Sequence, residues 1–96
     1  MEITKKTLLE ALEAVTGKRE DDYGNKLKNH QNIADLWSIY LQHKVSAHDV
    51  AICMALLKIA RIMHSHHEDA YIDLAGYAAI AREIDIEGKL KKCPHN

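Results

Sequence analysis

The stretch from Val50 to Met63 constrains the fold of this chain more than any other. Between these two residues only Lys58 and Arg61 are charged. A helix that is apolar on nearly all of its sides belongs at the centre of a bundle or of an oligomer. Ser46 stands three residues before Asp49, which is the spacing of an N-terminal helix cap. We therefore predict that this stretch is a capped helix and the main core element.

The remaining apolar residues also recur at helical spacing, and no segment alternates as a half-buried strand does. We predict four helices, at about residues 5–16, 25–43, 47–63 and 66–84. Their predicted caps are Thr4 or Thr7, Asn25, Ser46 and Ser65. The prediction is an all-α four-helix bundle. Its apolar third helix forms an antiparallel hairpin with the fourth, because the link between them is very short.

The length of 96 residues fits one domain. We predict a single helical domain at residues 1–84 and a polar, partly frayed tail at residues 85–96. The charged connector at residues 18–24 ends in a glycine and is predicted to be an ordered loop or broken turn. Alanines and Gly76 in the fourth helix favour close approach of a neighbouring helix.

The composition excludes several classes of function. With 47% apolar and 28% charged residues the chain has the make-up of a soluble globular protein, and no apolar stretch is long enough to span a membrane. The net charge of −1 gives no field for duplex DNA, RNA or anionic lipid. No apolar signal region follows the first residues, so we expect the protein to stay in the cytoplasm.

Two pairs of opposite charges are the main candidates for chemistry. Lys58 and Arg61 share one side of the third helix, where buried cations need anions. Asp69 and Asp73 are four residues apart on the fourth helix, and Tyr77 continues their stripe. Two interpretations remain open. The charges form an internal ion-pair network, or they line a cleft in which cations hold phosphate and the aspartates hold a divalent metal or a sugar hydroxyl.

The connector and the start of the second helix form another candidate site. Arg19, Tyr23, Lys26 and Lys28 are placed to capture an anion near a helix N-terminus. The alternative is a solvated turn in which Tyr23 packs against the bundle.

Three residues of the second helix follow this connector. Asn29, His30 and Trp37 lie near it or on one broad side of the helix, where a base could stack, although a tryptophan is more often simply core. The histidines around residue 66 are too constrained by a helix start to share one ion, so a transition-metal site is disfavoured.

Several short blocks of sequence form a recognisable pattern. The blocks are Glu20-Asp21-Asp22-Tyr23-Gly24, Asn29-His30, Ile33-Ala34-x-Leu36-Trp37, Asp49-Val50-Ala51, Leu57-Lys58-Ile59-Ala60-Arg61 and Asp69-x-x-x-Asp73-x-Ala75-Gly76-Tyr77. Over about residues 8–82 this pattern resembles a family of small, uncharacterised proteins of tailed phages and prophages.

A more distant similarity is to the all-α nucleoside triphosphate pyrophosphohydrolases, which are helical bundles that oligomerise and bind magnesium through acidic helices. This similarity implies a nucleotide ligand, with Mg²⁺ held by Asp69 and Asp73. Those enzymes carry an E-x-x-E and an E-x-x-D pair, whereas this chain has Lys58 and Arg61 where further acids are expected. The departure favours binding over hydrolysis.

Together these observations predict a phage-encoded protein that binds a nucleotide or another phosphorylated small molecule. The predicted ligand-binding residues are Arg19, Tyr23, Asn29, His30, Trp37, Lys58, Arg61 and Tyr77. As an enzyme it would be a Mg²⁺-dependent nucleotide pyrophosphohydrolase. The alternatives are sequestration of a host signalling nucleotide without reaction and a helical module that inhibits or recruits a host protein. We also predict a homo-oligomer, dimeric or higher, because the apolar surface exceeds what one small domain can bury.

Overall fold

The computed structural model shows four helices. It describes residues 1–17, 20–66 and 68–92, of which residues 20–25 and 89–92 are described by their backbone alone. The helices are α1 (Glu2–Thr16), α2 (Glu20–Leu41), α3 (Ala47–His64) and α4 (Glu68–Lys92). Within these ranges no residue lies in a strand, and no helix has an apolar window long enough to cross a bilayer. The predicted all-α bundle is confirmed.

The first helix begins earlier than its sequence signals indicate. α1 starts at Glu2, so Thr4 and Thr7 both lie inside it. The Thr7 hydroxyl donates to the carbonyl of Ile3 at 2.8 Å, and the predicted capping role of both threonines is wrong. α1 ends at Gly17 as predicted, and the positive φ of 63° there suits a glycine.

The second helix also begins earlier than predicted. α2 starts at Glu20, so residues 20–24 are helical, and the predicted loop or broken turn is wrong for these residues. Asn25 lies inside α2 instead of capping it. Consecutive carboxylates at the positive end of a helix favour a start there, and one internal glycine costs only about 1 kcal/mol. Lys18 and Arg19 lie outside the described residues.

The start of α3 is the predicted cap. Ser46 Oγ accepts a hydrogen bond from the Asp49 N–H at 3.0 Å, and Asp49 Oδ2 accepts one from the Ser46 N–H at 2.9 Å. Hydrogen bonding to the carboxyl, first from the Ser46 backbone and then from the Ser46 side chain, holds the pKa of Asp49 below its ordinary value. The link from α2 is fixed by the Val45 N–H, which donates to Ser38 Oγ at 2.8 Å.

The fourth helix is shifted toward the C-terminus relative to the prediction. α4 begins at Glu68, two residues late, and continues to Lys92. The helix therefore extends beyond the predicted end near Ile84, and residues 85–92 of the predicted tail are helical. These residues include glutamate, lysine and leucine, which favour a helix, and Pro94 stands beyond its end. Residues 93–96 lie outside the described ranges.

The hydrophobic core is small and consists mostly of short side chains. Its central cluster is Val15, Ala51, Ile80 and Ala81, with Leu27, Tyr77 and Ile84 packed against it. α1 lies very close to α4, because a Cβ on Gly76 would stand 3.0 Å from Cγ2 of Val15. The close approach predicted at this part of α4 is thus found.

The third helix is buried on one side only. Ala47, Val50 and Ala51 face the core. Between Ile52 and Met63 the opposite side, here called the α3 outer face, is exposed and apolar. It comprises Ile52, Cys53, Leu56, Leu57, Ile59, Ala60 and Met63.

Candidate functional site

The antiparallel packing of α3 and α4 brings the predicted charges together. Lys58 Nζ lies 3.3 Å from Asp73 Oδ2. The lysine side chain is 18% exposed and the aspartate 41% exposed, so water screens the pair only in part. Lys58 and Asp73 are separated from the short link between the helices by almost the same number of residues. In an antiparallel pair of helices such residues lie side by side, so the spacing along the chain was enough to predict their contact.

Beside this ion pair lies a polar pocket of 360 Å³, here called the Arg61 pocket. It is lined by Lys58, Arg61, His66, Glu68, Asp69, Ala70 and Asp73. Arg61 and Asp69 are exposed, and neither has an ion-pair partner among the residues that the structure describes. A guanidinium without a partner can form two parallel hydrogen bonds to a phosphate or a carboxylate. The charges therefore line an opening as well as pairing with each other.

On the other side of Asp73 lies a second pocket, of 230 Å³, here called the His30 pocket. It is lined by Ala14, Val15, Lys26, Asn29, His30, Ile72, Asp73, Gly76, Tyr77 and Ile80. The His30 and Tyr77 rings have their centroids 5.9 Å apart and are tilted by 56°. Three predicted ligand-binding residues, Asn29, His30 and Tyr77, thus meet in one place.

His30 is the most unusual polar residue of this pocket. The side chain is only 6% exposed, and Nδ1 donates to the carbonyl of Lys26 at 2.7 Å. When Nδ1 carries the proton, Nε2 of a neutral ring is an acceptor. Nε2 is buried, and no described residue forms a hydrogen bond with it. A buried acceptor without a partner costs about 1–3 kcal/mol, so a donor that entered the pocket would bind there with a gain.

Lys26 does not have the role that the sequence suggested. It lies more than a turn inside α2, and its ammonium donates to the carbonyl of Ala14. This contact joins α2 to the C-terminal part of α1, where carbonyls attract a cation. The prediction that Lys26 captures an anion at a helix N-terminus is therefore wrong.

A third pocket, of 430 Å³, adds acids that the sequence reasoning missed. It is lined by Glu10, Glu13, Ala14, Asp69, Ile72 and Asp73, and is here called the Glu13 pocket. Glu10 and Glu13 are three residues apart on α1, a spacing that places them on neighbouring positions of one side. That spacing was visible in the sequence, but only the packing of α1 against α4 reveals what it faces.

The acids of this pocket do not form a ready-made metal site. Within the described residues no three side chains of His, Cys, Asp or Glu are close enough to hold one ion. Asp73 is also engaged by Lys58, which competes for the same carboxylate. The prediction of Mg²⁺ at Asp69 and Asp73 stays a prediction, in which the ligand and water would supply most of the coordination.

One predicted site residue that the structure describes, Trp37, lies apart from this cleft. Trp37 is half-buried on α2 and is not among the residues that line the three pockets around Asp73. Arg19 and the side chain of Tyr23 lie outside the described residues. The site that the structure supports is therefore built from α2, α3 and α4 around Asp73, with α1 as its fourth wall.

The chain is similar to two phage proteins. It is 41% identical over 81 residues to the Gene 55 protein of Mycobacterium phage L5, which covers 82% of this chain and 52% of the relative. It is 39% identical over 83 residues to the Gene 55 protein of Mycobacterium phage D29, covering 85% of this chain and 55% of the relative. The chain thus spans about half the length of these curated relatives. No solved structure matches it.

These relatives confirm the predicted likeness to an uncharacterised family of phage proteins, while the similarity to pyrophosphohydrolases stays a prediction. The family match extends over residues 6–85, which include α2 and α3, most of α1 and α4, and the residues described around Asp73. The chain belongs to the family described as domain of unknown function DUF6378.

Proposed function

We propose that this protein binds a phosphorylated small molecule, and that a nucleotide fits best, in the cleft around Asp73. One observation carries the proposal: the Arg61 pocket and the His30 pocket both reach Asp73. One pocket offers cations and the other offers aromatic rings with an unused acceptor. A nucleotide combines a phosphate with a ring that has hydrogen-bond donors, and its two parts match the two pockets.

The phosphate would bind in the Arg61 pocket. Arg61 supplies a planar fork of donors, whereas Lys58 remains beside Asp73 and acts as a point charge. Glu68 and Asp69 also line this pocket and repel a bare phosphate. A magnesium ion that arrives with the phosphate would remove that repulsion. Alternatively, Asp69 would accept a hydrogen bond from a sugar hydroxyl.

The ring of the ligand would bind in the His30 pocket. An amino or imino N–H of the ring would donate to Nε2 of His30, which has no hydrogen-bond partner among the residues that the structure describes. The ring of Tyr77 provides an adjacent surface for stacking, which is worth about 1–3 kcal/mol per base. Asn29 is exposed at the same pocket and can both donate and accept.

Magnesium-dependent hydrolysis of the nucleotide is the second candidate function. Four carboxylates on two facing helices line the Glu13 pocket, and this arrangement favours hydrolysis. Carboxylate oxygens bind a divalent cation, whereas they repel a phosphate that carries no cation. The described residues hold no group of three metal ligands, so we derive no catalytic step. Sequestration and hydrolysis differ in one respect: the sequestered nucleotide is recovered intact.

A thermal-shift screen over nucleotides and cyclic dinucleotides, with Mg²⁺ and with a chelator, tests the proposal. A ligand at a hundredfold its dissociation constant stabilises the fold by about 2.7 kcal/mol. For a domain of this size that corresponds to a rise in melting temperature of about 10–20 °C. Chromatography of the ligand after incubation then distinguishes binding from hydrolysis.

Arg61→Ala and Arg82→Ala are the matched variants for this screen. Both arginines are exposed on neighbouring helices, but Arg82 lines a groove between α1 and α4 away from Asp73. We expect Arg61→Ala to remove the shift and Arg82→Ala to retain it. If no nucleotide shifts the wild-type melting temperature, the proposal fails and the interaction-module alternative takes its place.

A further inference from the structure

The α3 outer face is an exposed apolar surface on a single helix. Leu56 at its middle is 57% exposed, and Met63 at its end is 81% exposed. The two cations of α3 do not interrupt this face, because Lys58 and Arg61 both line the Arg61 pocket. On this side about three turns of helix thus present apolar side chains to water, which a monomeric protein rarely tolerates.

The exposed leucines of α1 are different in this respect. Leu8, Leu9 and Leu12 are also exposed, but charged residues stand among them. The pair Lys6 and Glu10 even forms an exposed ion pair of 3.8 Å. Scattered apolar residues on a charged helix are normal at a protein surface. The α3 outer face therefore calls for a partner more strongly than α1 does.

The spacing along the α3 outer face is that of a helix that packs against another helix. Ile52, Leu56, Ile59 and Met63 are separated by four, three and four residues. This alternation of three and four is the seam of a two-helix coiled coil. Because the face carries no charge, it offers nothing to a charged partner, whereas it complements a second copy of itself.

The chain exposes more surface than a compact monomer of its mass does. Its accessible surface is 7603 Å². A compact monomer of 10.9 kDa exposes about 5,600 Å². The excess of about 2,000 Å² belongs to the chain as a whole. An interface of standard size, which takes about 800 Å² from each partner, would account for part of it.

We propose that two copies of this chain form a dimer with two-fold symmetry through their α3 outer faces. The same patch meets itself in such an interface, so each Ile52, Leu56 and Met63 packs against the α3 of the other copy. The Arg61 pocket lies on the opposite side of α3 and stays open. The inference does not depend on the proposed ligand, and either can fail without the other.

Sedimentation equilibrium of the wild type, Leu56→Glu and Leu9→Glu tests the dimer. The two leucines are similarly exposed, at 57% and 54%, but lie on different helices. We expect twice the chain mass for the wild type and for Leu9→Glu. In Leu56→Glu two carboxylates enter the interface, and the dissociation constant should rise at least about a hundredfold.

The melting temperature provides a second measurement that does not need a folded variant. For a dimer, the melting temperature of the wild type rises with protein concentration. A wild type of single-chain mass whose melting temperature is independent of concentration would overturn the proposal. So would an oligomer that Leu56→Glu leaves intact, or a stable complex with a different protein on this face in place of a second copy.

Discussion

The two sides of α3 differ in what the rest of the chain provides for them. On the inner side Val50 is fully buried and Lys58 finds a carboxylate at 3.3 Å. On the outer side the residues of the α3 outer face are exposed, with no cover from the described part of the chain. The apolar composition of a helix therefore predicts that the helix is buried, but it does not predict whether the surface that covers it belongs to the same chain. The inner side also leaves room for a guest, in the pockets around Asp73.

The largest effect is expected from truncating each side of α3 in turn. If a second copy covers the outer face, Leu56→Ala should lower the free energy of unfolding by about 2–4 kcal/mol, as core leucines do. Val50→Ala on the inner side removes two methyl groups from a filled core and should cost about 2 kcal/mol. Urea denaturation at one protein concentration measures both. A loss below about 0.5 kcal/mol for Leu56→Ala, typical of surface positions, would mean that the outer face stays bare.

The ion pair on the inner side is tested by its aspartates. Asp73→Ala leaves Lys58 half-buried without its partner and should cost about 1–2 kcal/mol, between the values for exposed and buried pairs. Asp69→Ala is the control, since Asp69 is exposed, four residues earlier on α4, and should cost less than about 0.5 kcal/mol. Thermal denaturation of both variants gives the comparison. Equal losses would show that the Lys58–Asp73 contact contributes nothing to stability.

The cap at the start of α3 stabilises the helix that carries both sides. Ser46→Ala should cost about 1 kcal/mol, because it removes a hydrogen bond from the Asp49 N–H. The pKa of the Asp49 carboxyl is lowered in the fold, so its contribution is present above pH 3.8, the ordinary pKa. It is lost as the pH falls below that value through the folded pKa. Denaturation of wild type and Asp49→Asn across this range should show their difference shrinking at acid pH; a constant difference would contradict the assignment.

The smallest changes in stability are expected from replacing two glycines of α4, one packed against α1 and the other in open space. Gly88→Ala meets nothing within 4 Å and should stabilise by about 0.5 kcal/mol through helix propensity. At Gly76 the new Cβ would lie 3.0 Å from Val15, whose branched side chain is nearly buried and stiff. We expect Gly76→Ala to lose the propensity gain and to destabilise the protein. Equal stabilisation of both variants would show that α1 is free to move away from α4.

The elements that the sequence predicted well rest on local chemistry. The cap depends only on a serine that stands three residues before an aspartate, here Ser46 and Asp49. The contact of Lys58 with Asp73 depends only on the helical spacing of residues in two segments that a short link joins. The all-α class follows from the same periodicity. Of the candidate site, the charged part was therefore predictable without coordinates.

What the sequence did not predict depends on contacts between distant segments or on competing local signals. Glu13 and Asp69 line one pocket only because α1 packs against α4. The missing partner of His30 Nε2 is a property of the packed core, and no pattern of residues encodes it. The start of α2 at Glu20 was not predicted because two local signals compete: a glycine in the connector indicates a break, whereas the acids before it favour a helix start.

The central claim, that the cleft around Asp73 takes a phosphorylated ligand, is tested most directly by calorimetric titration of the best nucleotide from the screen. The account predicts one site per chain in the wild type and an affinity about 10–100-fold lower in Arg61→Ala, the value of a charge-assisted hydrogen bond. Identical isotherms for the two proteins, or no heat of binding to the wild type, would contradict it.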